Sequence, residues 1–207
     1  MMKSLTSLSL AALVGLTAAA ASATDFEIST SPLSTASYTS DADLETISGT
    51  SVQVSGTIAT DLKDPSKTSG SFSIPVTSLL SGVPTRDEHM AGERWLDAAK
   101  FPNITFAIKS LALKGDNKVL TNGNSVQADA TGEFTLHGVT KTITIPVRAS
   151  YREIAAGQVY GLEGNILRIE TTFGIKLSDY GVNIPAPLTA KVANELTLTV
   201  KATAKQK

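Results

Sequence analysis

Apolar and polar side chains alternate along much of this chain, a period-two pattern that is typical of β-strands with one buried face. The longest alternating segment covers residues 126–136. Shorter segments of the same kind cover residues 52–58, 72–76, 104–108, 143–147 and 196–200, with weaker candidates at 26–31, 34–40, 44–48 and 159–172. Turn signals separate these segments, the strongest being Asn122-Gly123. Short connections of this kind predict a largely antiparallel sheet.

About eight strands that are apolar on one face predict a mainly β protein, built as a closed barrel or as a sandwich. Closure removes the unpaired sheet edges that otherwise promote aggregation. A barrel of this size is either filled by its own side chains or holds one small ligand. Small inward residues favour a hollow interior, but a tightly curved and filled barrel uses them as well. The pattern therefore leaves both interiors open.

One segment departs from the alternation and predicts a single short helix. Residues 85–88 (TRDE) have the form of a capping box, in which the Thr hydroxyl caps the first turn and the Glu side chain reaches back. The helix is predicted to run from about Arg86 to Ala99, and Pro102 prevents its continuation. Trp95, the only tryptophan of the chain, is predicted to lie on the apolar side of this helix and to cover one barrel end.

The N-terminal residues predict export. Lys3 precedes an apolar stretch at residues 8–20, and the segment ends in Ala21-Ser22-Ala23, which together are typical of a secretory signal peptide. The apolar stretch is shorter than the roughly 20 residues that span a bilayer, so a membrane anchor is not predicted. Cleavage is predicted after Ala23. The mature protein is then one periplasmic domain at residues 24–207.

Composition narrows the function further. The formal net charge of −1 argues against a nucleic acid partner, because such binding depends on clustered Lys and Arg. The lack of Cys excludes disulfides and thiolate catalysis. His89 and His137 stand in no recognisable catalytic constellation. A metal site that pairs His89 with Glu93 would lack the three or four ligands of a stable zinc site. We therefore expect no enzyme activity, no metal and no cofactor.

Three segments in combination closely resemble the YceI-like family. They are RDEHM at 86–90, WLDAAKFPNITF at 95–106 and GEFTLHGVTK at 132–141, with further similarity in GTI at 56–58 and SDYG at 178–181. The resemblance implies an exported bacterial protein with a lipocalin-like antiparallel barrel, of the kind also called polyisoprenoid-binding. It implies no catalysis. Residues 44–50 differ from the family's common opening segment. This segment is predicted to line one barrel end, so the resemblance defines the identity of the ligand least at that end.

The resemblance and the alternation together predict a ligand site inside the barrel. An apolar interior binds a long chain by its length, since each buried CH2 contributes about 0.8 kcal/mol. The residues predicted to line this interior, or alternatively to pack only against one another, are Val54, Phe72, Ile74, Phe106, Ile108, Phe134, Leu136, Ile145 and Val147. The polar residues predicted at its mouth for a head group are Arg86, Asp87, His89 and His137. An Arg86–Asp87 cap or ion pair is the structural alternative.

Two functions remain open at this point. The first is an exported protein that holds a polyisoprenoid or a fatty-acid derivative for carriage, storage or scavenging. The second is a ligand-free periplasmic stress or protein-interaction barrel, whose polar strand faces are the working surface. A homodimer is compatible with either function.

Overall fold

Ten β-strands and one α-helix make up most of the part that the computed structural model describes, which is residues 23–159 and 161–207. The predicted signal peptide, residues 1–23, lies outside the described residues except for Ala23. The strands are β1 (Thr24–Ile28), β2 (Thr35–Asp41), β3 (Thr46–Ser51), β4 (Ser55–Asp61), β5 (Asp64–Pro75), β6 (Asn103–Lys114), β7 (Ser125–Leu136), β8 (Val139–Val159), β9 (Leu162–Lys176) and β10 (Glu195–Gln206). The helix α1 is Pro84–Ala91.

The strands form one antiparallel sheet that closes on itself. Their order is β1-β4-β5-β6-β7-β8-β9-β10, and β1 pairs in turn with β10 through Phe26 opposite Gln206. The ring therefore has eight strands, and the predicted antiparallel barrel with one short helix is confirmed.

The hairpin of β2 and β3 extends the barrel wall at one end. β10 pairs with β1 near its own C-terminus and with β2 near its own N-terminus, where Leu196 lies opposite Ser40. β1 and β2 thus follow the same edge of β10, and a short loop interrupts them. The extended end is also where α1 lies, because Thr50 of β3 forms a bridge with Leu80 just before the helix. This end is called the mouth below.

The opposite end is covered by the connection between β6 and β7. Leu120 of this connection is buried, and its backbone N–H donates to the Leu62 carbonyl at 2.7 Å. Asn122-Gly123 forms a turn inside this connection, closed by a hydrogen bond from the Asn124 N–H to the Thr121 carbonyl. The dipeptide therefore makes a turn, but it does not join the two strands directly.

The tightest hairpin joins β7 to β8 through His137 and Gly138. Leu136 pairs with Val139, and the two residues between them have φ values of 50° and 73°. Positive φ at both central residues is the mark of a type I′ turn, whose twist matches that of the flanking strands. A Cβ atom on Gly138 would also lie 2.3 Å from a ring carbon of Phe101, so the turn packs closely against the segment before β6.

The predicted helix boundaries and cap are wrong. The helix begins at Pro84, whose fixed φ suits the first helical position, and Thr85 makes no capping hydrogen bond. Asp87 instead accepts hydrogen bonds from the Ser81 N–H at 2.8 Å and the Ser81 hydroxyl at 2.6 Å. The helix ends at Ala91 because the backbone of Gly92 is extended, and the following residues continue as turns rather than as helix.

Candidate functional site

The barrel encloses an inner cavity of about 100 Å³. Its wall consists of side chains from β4 to β10 together with Leu120, and none of the lining residues is charged. Several inward apolar residues are only partly buried although they lie inside a closed ring: Phe72, Ile108, Val147, Phe173 and Val200. Their own packing does not fill the space. The interior that the alternation left open is therefore partly hollow.

A second cavity, of about 370 Å³, lies at the mouth. It is bounded by α1 and the turns after it, by β2 and β3, and by the start of β10. Ile104 and Phe134 line both cavities, so the two spaces are adjacent. The larger volume falls within the range of about 300–1,000 Å³ that is usual for small-molecule sites.

Phe134 is the aromatic side chain that lies between the two cavities, together with Ile104. Its ring makes edge-to-face contacts with Phe173 and Tyr180, at centroid distances of 5.8 Å and 5.5 Å. Such pairs add stability beyond the area they bury. A long ligand that occupies both cavities must therefore pass a fixed aromatic ring.

Charged and ionisable side chains line only the mouth cavity of the two. Arg86 of α1 donates from Nη2 to Glu45 Oε1 at 2.8 Å, and this ion pair joins the helix to the residue before β3. Both side chains are about one-third exposed. His89 and Lys191 are exposed and line the same cavity. The mouth thus presents three basic side chains, one of which is neutralised by Glu45.

Tyr38 adds a neutral hydroxyl to this cavity. Burial raises the pKa of Tyr38, and the nearby Asp87 carboxylate raises it further while Arg86 lowers it. The phenol consequently keeps its proton across the neutral range. It can donate or accept a hydrogen bond at the mouth.

A family model described as the YceI-like domain matches residues 18–204. The chain belongs to the YceI-like family. The UPF0312 protein of Pseudomonas fluorescens (strain SBW25) is 29% identical over 152 residues, which are 73% of this chain and 72% of that protein.

Two solved structures show the same fold at low identity. BcnA of Burkholderia cenocepacia matches with a TM-score of 0.67 and 23% identity, over 83% of this chain and 96% of that chain. A polyisoprenoid binding domain from Saccharophagus degradans matches with a TM-score of 0.64 and 13% identity, over 90% of this chain and all of that domain (100%). These likenesses establish the YceI-like barrel. The ligand of this chain has to be inferred from the residues of the chain itself.

Most of the apolar residues predicted for the interior line a cavity. Phe134 lines both cavities and Leu136 lines the mouth cavity. The others that line the inner cavity are Phe72, Ile74, Phe106, Ile108, Ile145 and Val147. Val54 differs, because it is 0% exposed within the packed core and lies outside both linings. Whether these residues bind a ligand stays a prediction.

The polar residues predicted for the mouth divide into two pairs. Arg86 and His89 line the mouth cavity, whereas Asp87 is turned to Ser81. His137 lies in the β7–β8 turn, where its Nδ1 is 3.1 Å from the Tyr180 carbonyl oxygen and its ring contacts Phe101 edge-on. His137 lines neither cavity, so the structure gives it a place in a turn of the YceI-like barrel rather than at the mouth.

Sequence reasoning missed three polar residues of the mouth. Tyr38 and Glu45 belong to the weakly patterned N-terminal part, and Lys191 follows a short 3-10 helix at Ala186–Leu188. The alternation of Ala36, Tyr38 and Ser40 was the available signal for Tyr38. Trp95, predicted as a cover for one barrel end, is half-buried and lines the mouth cavity.

Two further findings concern the described residues alone. Within residues 23–159 and 161–207, no helix is long and apolar enough to cross a membrane. In the same part of the chain, His, Asp and Glu side chains form no group of three or more that could hold a metal ion.

Proposed function

We propose that this YceI-like protein is an exported binding protein that holds one long apolar molecule, a polyisoprenoid or a fatty-acid derivative, for carriage, storage or scavenging. The observation that carries the proposal is the partly exposed apolar wall inside a closed barrel. An apolar chain in this space removes that wall from water, and each buried CH2 contributes about 0.8 kcal/mol. A long tail therefore binds by its length.

The orientation of the ligand follows from the distribution of charge. An ionised group inside the uncharged inner cavity would be unpaired and costly to desolvate. At the mouth, the same group meets Arg86, His89 and Lys191. The proposal therefore places the tail in the inner cavity and a polar or anionic end at the mouth. No catalytic step is assigned, because His89 lies at the mouth while His137 is engaged at Tyr180.

Export to the periplasm is part of the proposal and rests on the N-terminal sequence. Lys3, the apolar residues 8–20 and the Ala21-Ser22-Ala23 ending support a cleaved signal peptide. The barrel begins at once after the predicted cleavage point, since β1 starts at Thr24. The ligand-free interaction barrel is less favoured, because that function predicts a filled interior and the barrel encloses a cavity.

Native mass spectrometry on protein purified without detergent from its native host, followed by solvent extraction, tests the proposal. We expect an adduct of several hundred daltons that extracts into organic solvent. Stripped protein should regain an adduct from isoprenoid or fatty-acid mixtures, and its melting midpoint should rise with added ligand. A bare mass for residues 24–207 that no mixture changes would favour the interaction barrel instead.

A further inference from the structure

The wall of the inner cavity contains one buried hydroxyl that has no hydrogen-bond partner, that of Thr171. Among the residues that the structure describes, Thr171 Oγ1 is the buried side-chain nitrogen or oxygen atom left unpaired. Thr171 lies on β9 between Ile169 and Phe173, which also line the cavity. A buried polar group without a partner loses its hydration and gains nothing in return, so it calls for an explanation.

The residues that pair with Thr171 across the sheet are apolar. Thr171 pairs across the sheet with Val147 of β8 and Val200 of β10, and both line the same cavity. Valine has the shape of threonine and would suit this apolar wall better. Packing alone therefore does not account for a threonine here.

Two other threonines of the cavity differ in this respect. Thr60 and Thr68 bond to each other at 2.6 Å, and the Thr68 hydroxyl donates to the Pro65 carbonyl at 2.7 Å. A water molecule is a poor partner for Thr171, because an ordered buried water needs two to four polar contacts and the surrounding wall is apolar.

We propose that Thr171 hydrogen-bonds a neutral oxygen carried within the apolar chain of the ligand. This inference rests on the proposed function and narrows its ligand class to long chains with an in-chain or terminal hydroxyl, ether or carbonyl oxygen. The inner cavity excludes a charged group and accepts a neutral one. Thr171 lines the cavity while its hydroxyl oxygen is buried in the wall, so the proposed hydrogen bond involves a step of χ1 between staggered rotamers.

The test compares octadecanoate with hydroxyoctadecanoates that carry the hydroxyl at mid-chain or near the chain end. Binding is followed by the emission of Trp95, the only tryptophan, and by native mass spectrometry. Thr171→Val should weaken binding of at least one hydroxylated chain by about tenfold, the usual effect of one lost hydrogen bond. Octadecanoate carries no oxygen within its chain, so its binding should change by clearly less than that of the affected hydroxylated chain. Thr172→Val is the matched control, because Thr172 faces outward and pairs with Thr199 at the surface.

The ligand-free variant gives an independent readout. Since Thr171→Val removes an unpaired hydroxyl and keeps the shape, its melting midpoint should equal or exceed that of the wild type. Equal affinity of wild type and Thr171→Val for every hydroxylated chain would overturn the inference and leave the proposed function standing. Failure of all these chains, and of an isoprenoid mixture tested beside them, to bind the wild type would overturn both.

Discussion

Filling the inner cavity should shorten the longest chain that the protein can hold. Ala130 of β7 is 1% exposed and lines this cavity, beside Ile145 of β8. Ala130→Phe directs an aromatic ring into a space of about 100 Å³. The barrel should still close, because the added ring occupies space that is empty in the cavity. We expect an overpacking cost at the lower end of the usual range of about 1–3 kcal/mol.

The loss of affinity can be estimated from the cavity volume. A group of the size of water occupies about 30 Å³, so the inner cavity of about 100 Å³ holds about three methylene-sized groups. At about 0.8 kcal/mol for each CH2, their exclusion costs about 2.4 kcal/mol, or roughly 60-fold in Kd. A shorter chain that fills only the mouth cavity should lose nothing.

Titration of stripped protein with octadecanoate and with dodecanoate measures this difference through Trp95 emission. The control is Ala112→Phe, which adds the same ring on the exposed face of β6. Equal affinity of Ala130→Phe and wild type for octadecanoate would refute the placement of the tail in the inner cavity. An equal loss for both chain lengths would show that the variant disturbs the mouth instead.

Three further predictions concern the turn, a buried phenol and the mouth. Gly138→Ala should lower the urea midpoint by clearly more than the control Gly157→Ala. Gly157 has a similar positive φ but open space around it, so Gly157→Ala should lower the free energy of unfolding by only about 1–2 kcal/mol. Equal losses for the two variants would contradict close packing of Gly138 on Phe101. Burial, and then the charge of Asp179, raises the pKa of Tyr180 above 10.0, so the unfolded chain loses this proton first. Folding stability should therefore fall as pH rises past 10.0, and less so in Tyr180→Phe; identical alkaline losses in urea titrations would contradict this. Arg86→Met should weaken octadecanoate binding by about fivefold and octadecanol binding much less, because the unpaired Glu45 then repels the carboxylate of octadecanoate. Equal losses of affinity for the two ligands in calorimetry would contradict this.

The barrel could be predicted from the sequence because burial on one face of a strand imposes a period of two. Val126, Ala128, Ala130, Phe134 and Leu136 are all buried, as the alternation requires. The pattern fails where a strand is interrupted. β3 ends at Ser51 and β4 begins at Ser55, and the break leaves Val52 47% exposed while Val54 is fully buried.

The helix was misjudged because its end depends on the backbone and not on the apolar pattern. The extended conformation of Gly92 and the positive φ of Asp97 divide residues 92–101 into turns, although their apolar spacing is helical. Most of the interior residues were predictable, since they repeat along regular strands. The mouth was not, because Tyr38, Glu45 and Lys191 meet only after distant segments fold together.

Closure of the ring between its first and last strands has a consequence for the order of events during folding. The pairing of β1 with β10 joins residues near the two ends of the chain, so no barrel can close before the C-terminal strand has been synthesised. Contacts of such long sequence separation form slowly. Until then, Phe26 has no enclosed site, and the strands expose edges that can pair with other chains. A chain truncated before β10 would therefore form an open, aggregation-prone sheet and not a smaller barrel.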